Sequence, residues 1–118
     1  MTVLAVIGAI LCFTEQCERN HPPKPPPPPM QTALASYYDY GPGAQTACGY
    51  SAAYGVANRD LPCGTRVRFC LRRCVTAVVD DRGPYVYSRL WDLRAVTAQA
   101  IGFDFAAGVE AVRWRLLR

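Results

Sequence analysis

Two aspartates, Asp81 and Asp92, stand eleven positions apart in the densest polar stretch of the chain. Asp81 lies in Val78-Val79-Asp80-Asp81-Arg82-Gly83-Pro84-Tyr85, a β-branched run ending in two carboxylates, an arginine and a Gly-Pro turn. Asp92 sits between Trp91 and Leu93, just ahead of a segment with helical spacing. If both carboxylates share one cleft, like-charge repulsion raises the pKa of one and leaves a proton donor at neutral pH. The apolar neighbours of Asp92 single it out as that donor. A plainer reading also fits the spacing: Asp92 caps the helix that follows, and Asp81 pairs with Arg82 or Arg89 at the surface. Strand alternation turns Asp80 to the side opposite Asp81, where replacement should be tolerated.

Other chemistries are excluded. The single histidine, His21, leaves no imidazole set for zinc and no Ser-His-Asp triad. No Cys-x-x-Cys occurs. Neither a metal nor any other cofactor is expected. Tyr37, Tyr38, Tyr40, Tyr50, Tyr54, Tyr85 and Tyr87 offer flat faces and hydroxyls suited to sugars, although ordinary strand packing will occupy a share of them.

These groups must be held by a small scaffold. The chain has 118 residues, 51% hydrophobic and 19% charged, enough for one packed domain. Its net charge of +4 suits weak attraction to an anionic wall polymer and falls short of a nucleic-acid-binding tail. Val3–Phe13 is apolar and too short to span a bilayer comfortably, so residues 1–21 read as a signal-like or membrane-anchor segment, with Cys12 a candidate for lipidation. Seven prolines fill eight positions from Pro22 to Pro29, and residues 22–31 read as a stiff polyproline spacer. The folded domain is expected over residues 32–118. Short β-rich runs punctuated by Gly, Pro and Asn/Asp fill it, at Ala33–Asp39, Ala53–Asn58, Thr65–Cys70, Val75–Asp80 and Val109–Leu117. One helix is expected near Leu93–Ile101, with Gly102 as its stop. The pattern predicts a small, mainly β, closed barrel. Cys70 and Cys74 flank a tight turn between two strand-like runs, which pairs them and leaves Cys48 with Cys63. Disulfides place the domain in an oxidising compartment.

The order of Ala35-Ser36-Tyr37-Tyr38, Thr46-Ala47-Cys48-Gly49, Asn58-Arg59-Asp60-Leu61-Pro62-Cys63-Gly64-Thr65, Asp80-Asp81-Arg82-Gly83-Pro84-Tyr85 and Trp91-Asp92-Leu93 resembles the rare lipoprotein A family of double-psi β-barrels. The resemblance is to the cysteine-containing form common in actinobacteria and their phages, with expansins as more distant relatives. The resemblance runs from about Ala33 to Leu117 and implies a six-stranded double-psi β-barrel with one short helix. It implies a peptidoglycan-directed domain, in some members a lytic transglycosylase. There one acid protonates the glycosidic oxygen and the sugar's own hydroxyl closes on the anomeric carbon, leaving an anhydro product.

What the resemblance carries over is partial. Asp81 and Asp92 match the paired acids of expansins and are the candidate catalytic residues. Their carboxylates are expected within roughly 8 Å, where unit charges interact by more than about 1 kcal/mol. Tyr38 matches the first-strand position beside those acids, and Tyr50, Asn58, Arg82 and Tyr85 complete a candidate substrate-binding set. Active members carry a Glu after the Thr-Ala-x-Gly element and an Asp soon after, whereas Tyr50 and Ser51 follow Gly49 here. The family's histidine before Leu-Pro is replaced by Asn58. The implied function is an exported cell-wall domain, extracellular or in the cell envelope, that binds or remodels glycan strands with little or no catalysis. The alternatives are a lytic transglycosylase with Asp92 or Asp81 as general acid, and a barrel serving as protein-binding scaffold or virion component. Peptidoglycan is the expected partner, nucleic acid is not, membrane attachment would run through the N-terminal segment, and a monomer is expected.

Overall fold

The computed structural model describes residues 22–41 and 45–117. The signal-like segment, with Cys12, Cys17 and His21, lies outside the described residues. Residues 22–30 carry no helix or strand and are largely exposed.

Six strands follow: β1 (Gln31–Tyr38), β2 (Gly55–Ala57), β3 (Arg66–Cys70), β4 (Cys74–Asp81), β5 (Trp91–Arg94) and β6 (Val109–Leu116), with one helix, α1 (Ala95–Ile101), between β5 and β6. They close into a barrel in the order β1-β5-β2-β4-β3-β6. The β1–β5 and β2–β4 pairs are parallel and the other four antiparallel. Closure leaves no sheet edge exposed, which matters in so small a barrel.

Alternation along the strands sorts the side chains. Ala35, Val56, Val67, Phe69, Val79, Trp91, Leu93 and Val112 point inward and are buried. Trp91 is the centre of this core, edge-on to Phe69 at 4.9 Å and to Trp114 at 5.1 Å between ring centroids. Ile101 and Ala98 of α1 close one end.

The helix begins two residues later than its spacing suggested. Leu93 is a core residue of β5, so the apolar period that looked helical starts inside a strand. Arg94 occupies the N-cap position and makes no side-chain cap bond, so Asp92 is not the helix cap. At the other end Gly102 adopts the left-handed conformation, φ 77°, that ends a helix without a Cβ clash. The β3–β4 turn covers that terminus: Arg73 donates to the carbonyls of Gln99 and Ala100, and Arg72 to that of Gly102.

Two disulfides fix the connections, with the pairing that the hairpin spacing suggested. Cys70 and Cys74 are register partners across the β3–β4 hairpin and are bonded. Cys48 bonds Cys63, tying the loop after β1 to the loop before β3.

Candidate functional site

The outer face of β1, β5, β2 and β4 carries the candidate acids. Since Leu93 and Val56 point inward, Asp92 and Ala57 point outward, and register aligns Ser36 with Asp92, Asp92 with Ala57, and Ala57 with Asp81. The two aspartates therefore lie in one row on one face, with the small Ala57 between them. Two strand spacings separate their backbones by about 10 Å. Ser36 Oγ donates to Asp92 Oδ1 at 3.1 Å. Asp81 Oδ1 accepts the N–H groups of Ala47 and Arg82, each at 2.9 Å.

Asp92 has a pKa raised above the ordinary carboxylate value. Burial is the largest cause; the bond from Ser36 and the charge of Arg89 oppose it, and the charge of Asp81 adds to it. Trp91 and Leu93 do not create that dryness, because both face the core. The outer-face neighbours do.

Asp80 corrects the alternation argument. The β2–β4 register slips between Val56 and Ala57, so Val79 faces Val56 while Asp81, not Asp80, faces Ala57. Alternation from the inward Val79 already turns Asp80 outward, and the extra residue in this β-bulge brings Asp81 onto the same outer face. It is fully buried there, bonded at 2.8 Å to the Ala52 N–H and ion-paired at 2.9 Å with Arg94. A Cβ on Gly55 would strike its carboxylate, so only glycine leaves room for it. Burial raises the Asp80 pKa; the Ala52 bond and Arg94 lower it, and Asp81 raises it. A group so enclosed is not one that tolerates replacement.

Tyr38 lies beside these acids. Burial, then the charges of Asp80 and Asp81, push its phenol well above its ordinary value, and Arg94 opposes them. Its hydroxyl is buried and makes no well-formed hydrogen bond, although Arg94 stands close. Tyr38, Arg94, Thr46, Ser51 and Phe105 help line a depression of about 390 Å³ at this end of the row.

The remaining candidates separate. Arg82 and Tyr85 border a second, more open depression with Arg59, Asp60, Gly83 and Tyr87. Tyr85 is 76% exposed, while the Arg82 guanidinium is turned to the carbonyls of Asn58 and Leu61 rather than to a carboxylate. Tyr50 is directed to the Val79 carbonyl at 3.4 Å and borders neither depression. Asn58 is buried, its Oδ1 accepting from the N–H groups of Asp60 and Leu61 and its Nδ2 donating to the Leu90 carbonyl. That amide organises the loop and turns nothing toward a ligand. Among the described residues no cluster of three His, Cys, Asp or Glu side chains could hold a metal ion.

Arg94, Asp80 and Ser36 were missed in the sequence. The signal for Arg94 and Ser36 was available, since each keeps a period of two with a residue already singled out: Arg94 with Asp92, and Ser36 with Tyr38. Nothing local marked the bulge.

A closed six-stranded barrel in the order β1-β5-β2-β4-β3-β6, with two parallel pairs among four antiparallel ones, has the strand arrangement of a double-psi β-barrel protein. The chain is 37% identical over 93 residues to a protein of Nostoc sp. described as a probable endolytic peptidoglycan transglycosylase RlpA, and 40% identical over 86 residues to one of Synechocystis sp. so described. These matches span 71% and 67% of the chain but only about a quarter of each relative, 25% and 26%. Among solved structures, the expansin of Clavibacter michiganensis superposes with a TM-score of 0.63 at 23% identity, over 75% of this chain and 50% of that one. A variant expansin from the same organism, in complex with cellohexaose, gives 0.64 at 22%, with the same coverage. A Streptomyces papain inhibitor gives 0.59 at 23%, over 79% of this chain and 98% of the inhibitor. No family model matches. The chain belongs to the RlpA family of double-psi β-barrels, and the expansins share its fold.

Proposed function

We propose that this is an exported cell-wall domain that binds peptidoglycan glycan strands across the outer face of β1, β5, β2 and β4. The observation that carries this is the aligned row of Ser36, Asp92 and Asp81, with Tyr38 at one end and the exposed Tyr85 beyond the other. Carboxylates and a hydroxyl accept and donate to sugar hydroxyls, and the tyrosine rings can stack on sugar faces. The peptidoglycan transglycosylases named among the relatives and the cellohexaose bound by an expansin support a glycan as the ligand. Residues 1–21 direct export or anchor the chain, and residues 22–31 hold the barrel away from that attachment. The two disulfides fit an oxidising compartment.

Catalysis is absent or weak in this reading. Tyr50 and Ser51 occupy the positions where active members carry acids. If the domain cleaves, Asp92 is the donor, since burial raises its pKa and so favours the protonated form needed to protonate the glycosidic oxygen. Asp81, its oxygen held by two backbone N–H groups, then supplies negative charge facing the cationic transition state.

The test incubates the full chain with purified sacculi, measuring binding by co-sedimentation and products by mass spectrometry. Binding that Asp92→Asn weakens, with no anhydro-muropeptides, is the expected result. Anhydro products lost in Asp92→Asn would establish the transglycosylase instead. Failure to sediment with sacculi would overturn the glycan reading. A protein-binding scaffold is then favoured by Tyr85, Val86 and Tyr87, an exposed apolar loop suited to a protein surface. Inhibition of a papain-class protease by the chain would support it.

A further inference from the structure

The barrel wall opposite the acid row carries a different chemistry. In the strand ring, β3 lies across from β5 and β6 across from β2. Val67 and Phe69 of β3 and Val112 and Trp114 of β6 face the core. Alternation therefore sends Arg66, Arg68, Arg113 and Arg115 outward. Arg68 and Arg115 are direct register partners, and Arg113 is the partner of Cys70. Like charges placed opposite one another across an antiparallel pair are unfavourable unless something neutralises them.

No described residue does. Among the described residues the ion pairs are Arg94 with Asp80 and Arg72 with Glu110. None involves these four. Arg68 reaches the Thr76 hydroxyl at 3.5 Å and Arg113 the Leu71 carbonyl at 3.4 Å, both long contacts to neutral groups. The Nε of Arg115 is buried without a hydrogen-bond partner. The flanking outward residues, Thr76 and Val78 of β4 and Thr32 of β1, carry no charge. The face is thus a narrow stripe two strands wide, with two arginines per strand whose Cα atoms lie about 6.8 Å apart.

We propose that the β3–β6 face binds a linear phosphodiester polymer that carries no bases, such as a polyol phosphate of the cell wall. Guanidinium forks match phosphate oxygens, and a row of spaced cations suits a flexible chain of spaced anions. Single-stranded nucleic acid has the same backbone charge, but its binding sites add aromatic platforms for the bases. This stripe presents no aromatic side chain. A bilayer is flat, whereas the stripe runs along a curved wall. The polymer site is separate from the glycan row, so each can fail alone.

The experiment titrates the full chain with poly(glycerol phosphate) at several salt concentrations, with an oligothymidine and anionic phospholipid vesicles as parallel probes. Four phosphate contacts give a log–log salt slope of about −3. Arg68→Gln/Arg115→Gln should weaken polymer binding by about 10- to 30-fold and roughly halve the slope. Arg68→Lys/Arg115→Lys should keep most of the binding, and Asp92→Asn all of it. Circular dichroism should show both double variants folded. Because the glutamine pair removes a repulsion, its melting temperature should not fall. Equal binding by the glutamine variant, a slope near zero, or tighter binding to the oligothymidine or the vesicles would overturn the proposal.

Discussion

Asp92 and Asp80 are both more easily protonated in the folded chain than in the unfolded one, and the sign of that difference has a consequence for stability. An unfolded aspartate releases its proton near 3.8, while the folded groups hold theirs to higher pH. Over that window the native state binds more protons, so stability falls as pH rises from about 4 toward the folded pKa values. Asp92→Asn should remove its share of the fall and raise stability at neutral pH, measured by urea unfolding at pH 4 and pH 7. An unchanged pH profile would show that the carboxyl is not desolvated. Arg94 predicts the opposite response. Arg94→Met leaves Asp80 buried without its cation and should cost about 3–5 kcal/mol. Adding Asp80→Asn to that variant should restore part of the loss, because the unpaired charge is then gone.

At the level of elements, the loop from Thr46 to Tyr54 determines the shape of the site. It supplies the Ala47 N–H to Asp81 and the Ala52 N–H to Asp80, and the Cys48–Cys63 bond anchors it. Replacing both cysteines by serine should cost about 3 kcal/mol for a loop of 15 residues. It should also weaken glycan binding, since two carboxylates lose their fixed donors. The Cys70–Cys74 bond closes a turn already paired by register, so its removal should cost less and leave glycan binding intact. Melting curves and sacculus co-sedimentation of the two variants separate these effects. Five strands were legible as β-rich runs, because alternation and turn residues are local signals. The fifth strand in order, Trp91–Arg94, was not. It has four residues and runs directly into α1, so its apolar positions merged with the helical period. The acid row was legible from Asp81 and Asp92 together with a family resemblance. That Asp81 shares a face with Asp80 was not, because a bulge depends on the partner strand's register and leaves no mark in one strand's own sequence.

Over the whole molecule, the net charge of +4 is unevenly spread. Asp80, Asp81 and Asp92 gather on one wall together with Arg94 and Arg89, while Arg66, Arg68, Arg113 and Arg115 stand on the other with no carboxylate among them. A barrel with that arrangement meets an anionic matrix by its basic wall, leaving the acid row facing away from the polymer it has met and open to a neighbouring strand. The two contacts should respond to salt differently. Guanidinium–phosphate contacts at the surface are screened over about 10 Å at 0.1 M salt, and the affinity they supply falls as counterions compete. Hydrogen bonds and ring stacking on sugars depend little on ionic strength. Binding to intact walls should therefore fall steeply between 50 and 500 mM salt. Binding to walls stripped of phosphodiester polymers should be weaker at low salt and nearly constant across the same range. Co-sedimentation of the full chain with the two preparations measures both curves. Asp92→Asn should lower the flat curve and leave the slope of the steep one unchanged. If the two preparations gave the same steep curve, the glycan itself would be the anion that the arginines meet, and the two walls would share one ligand.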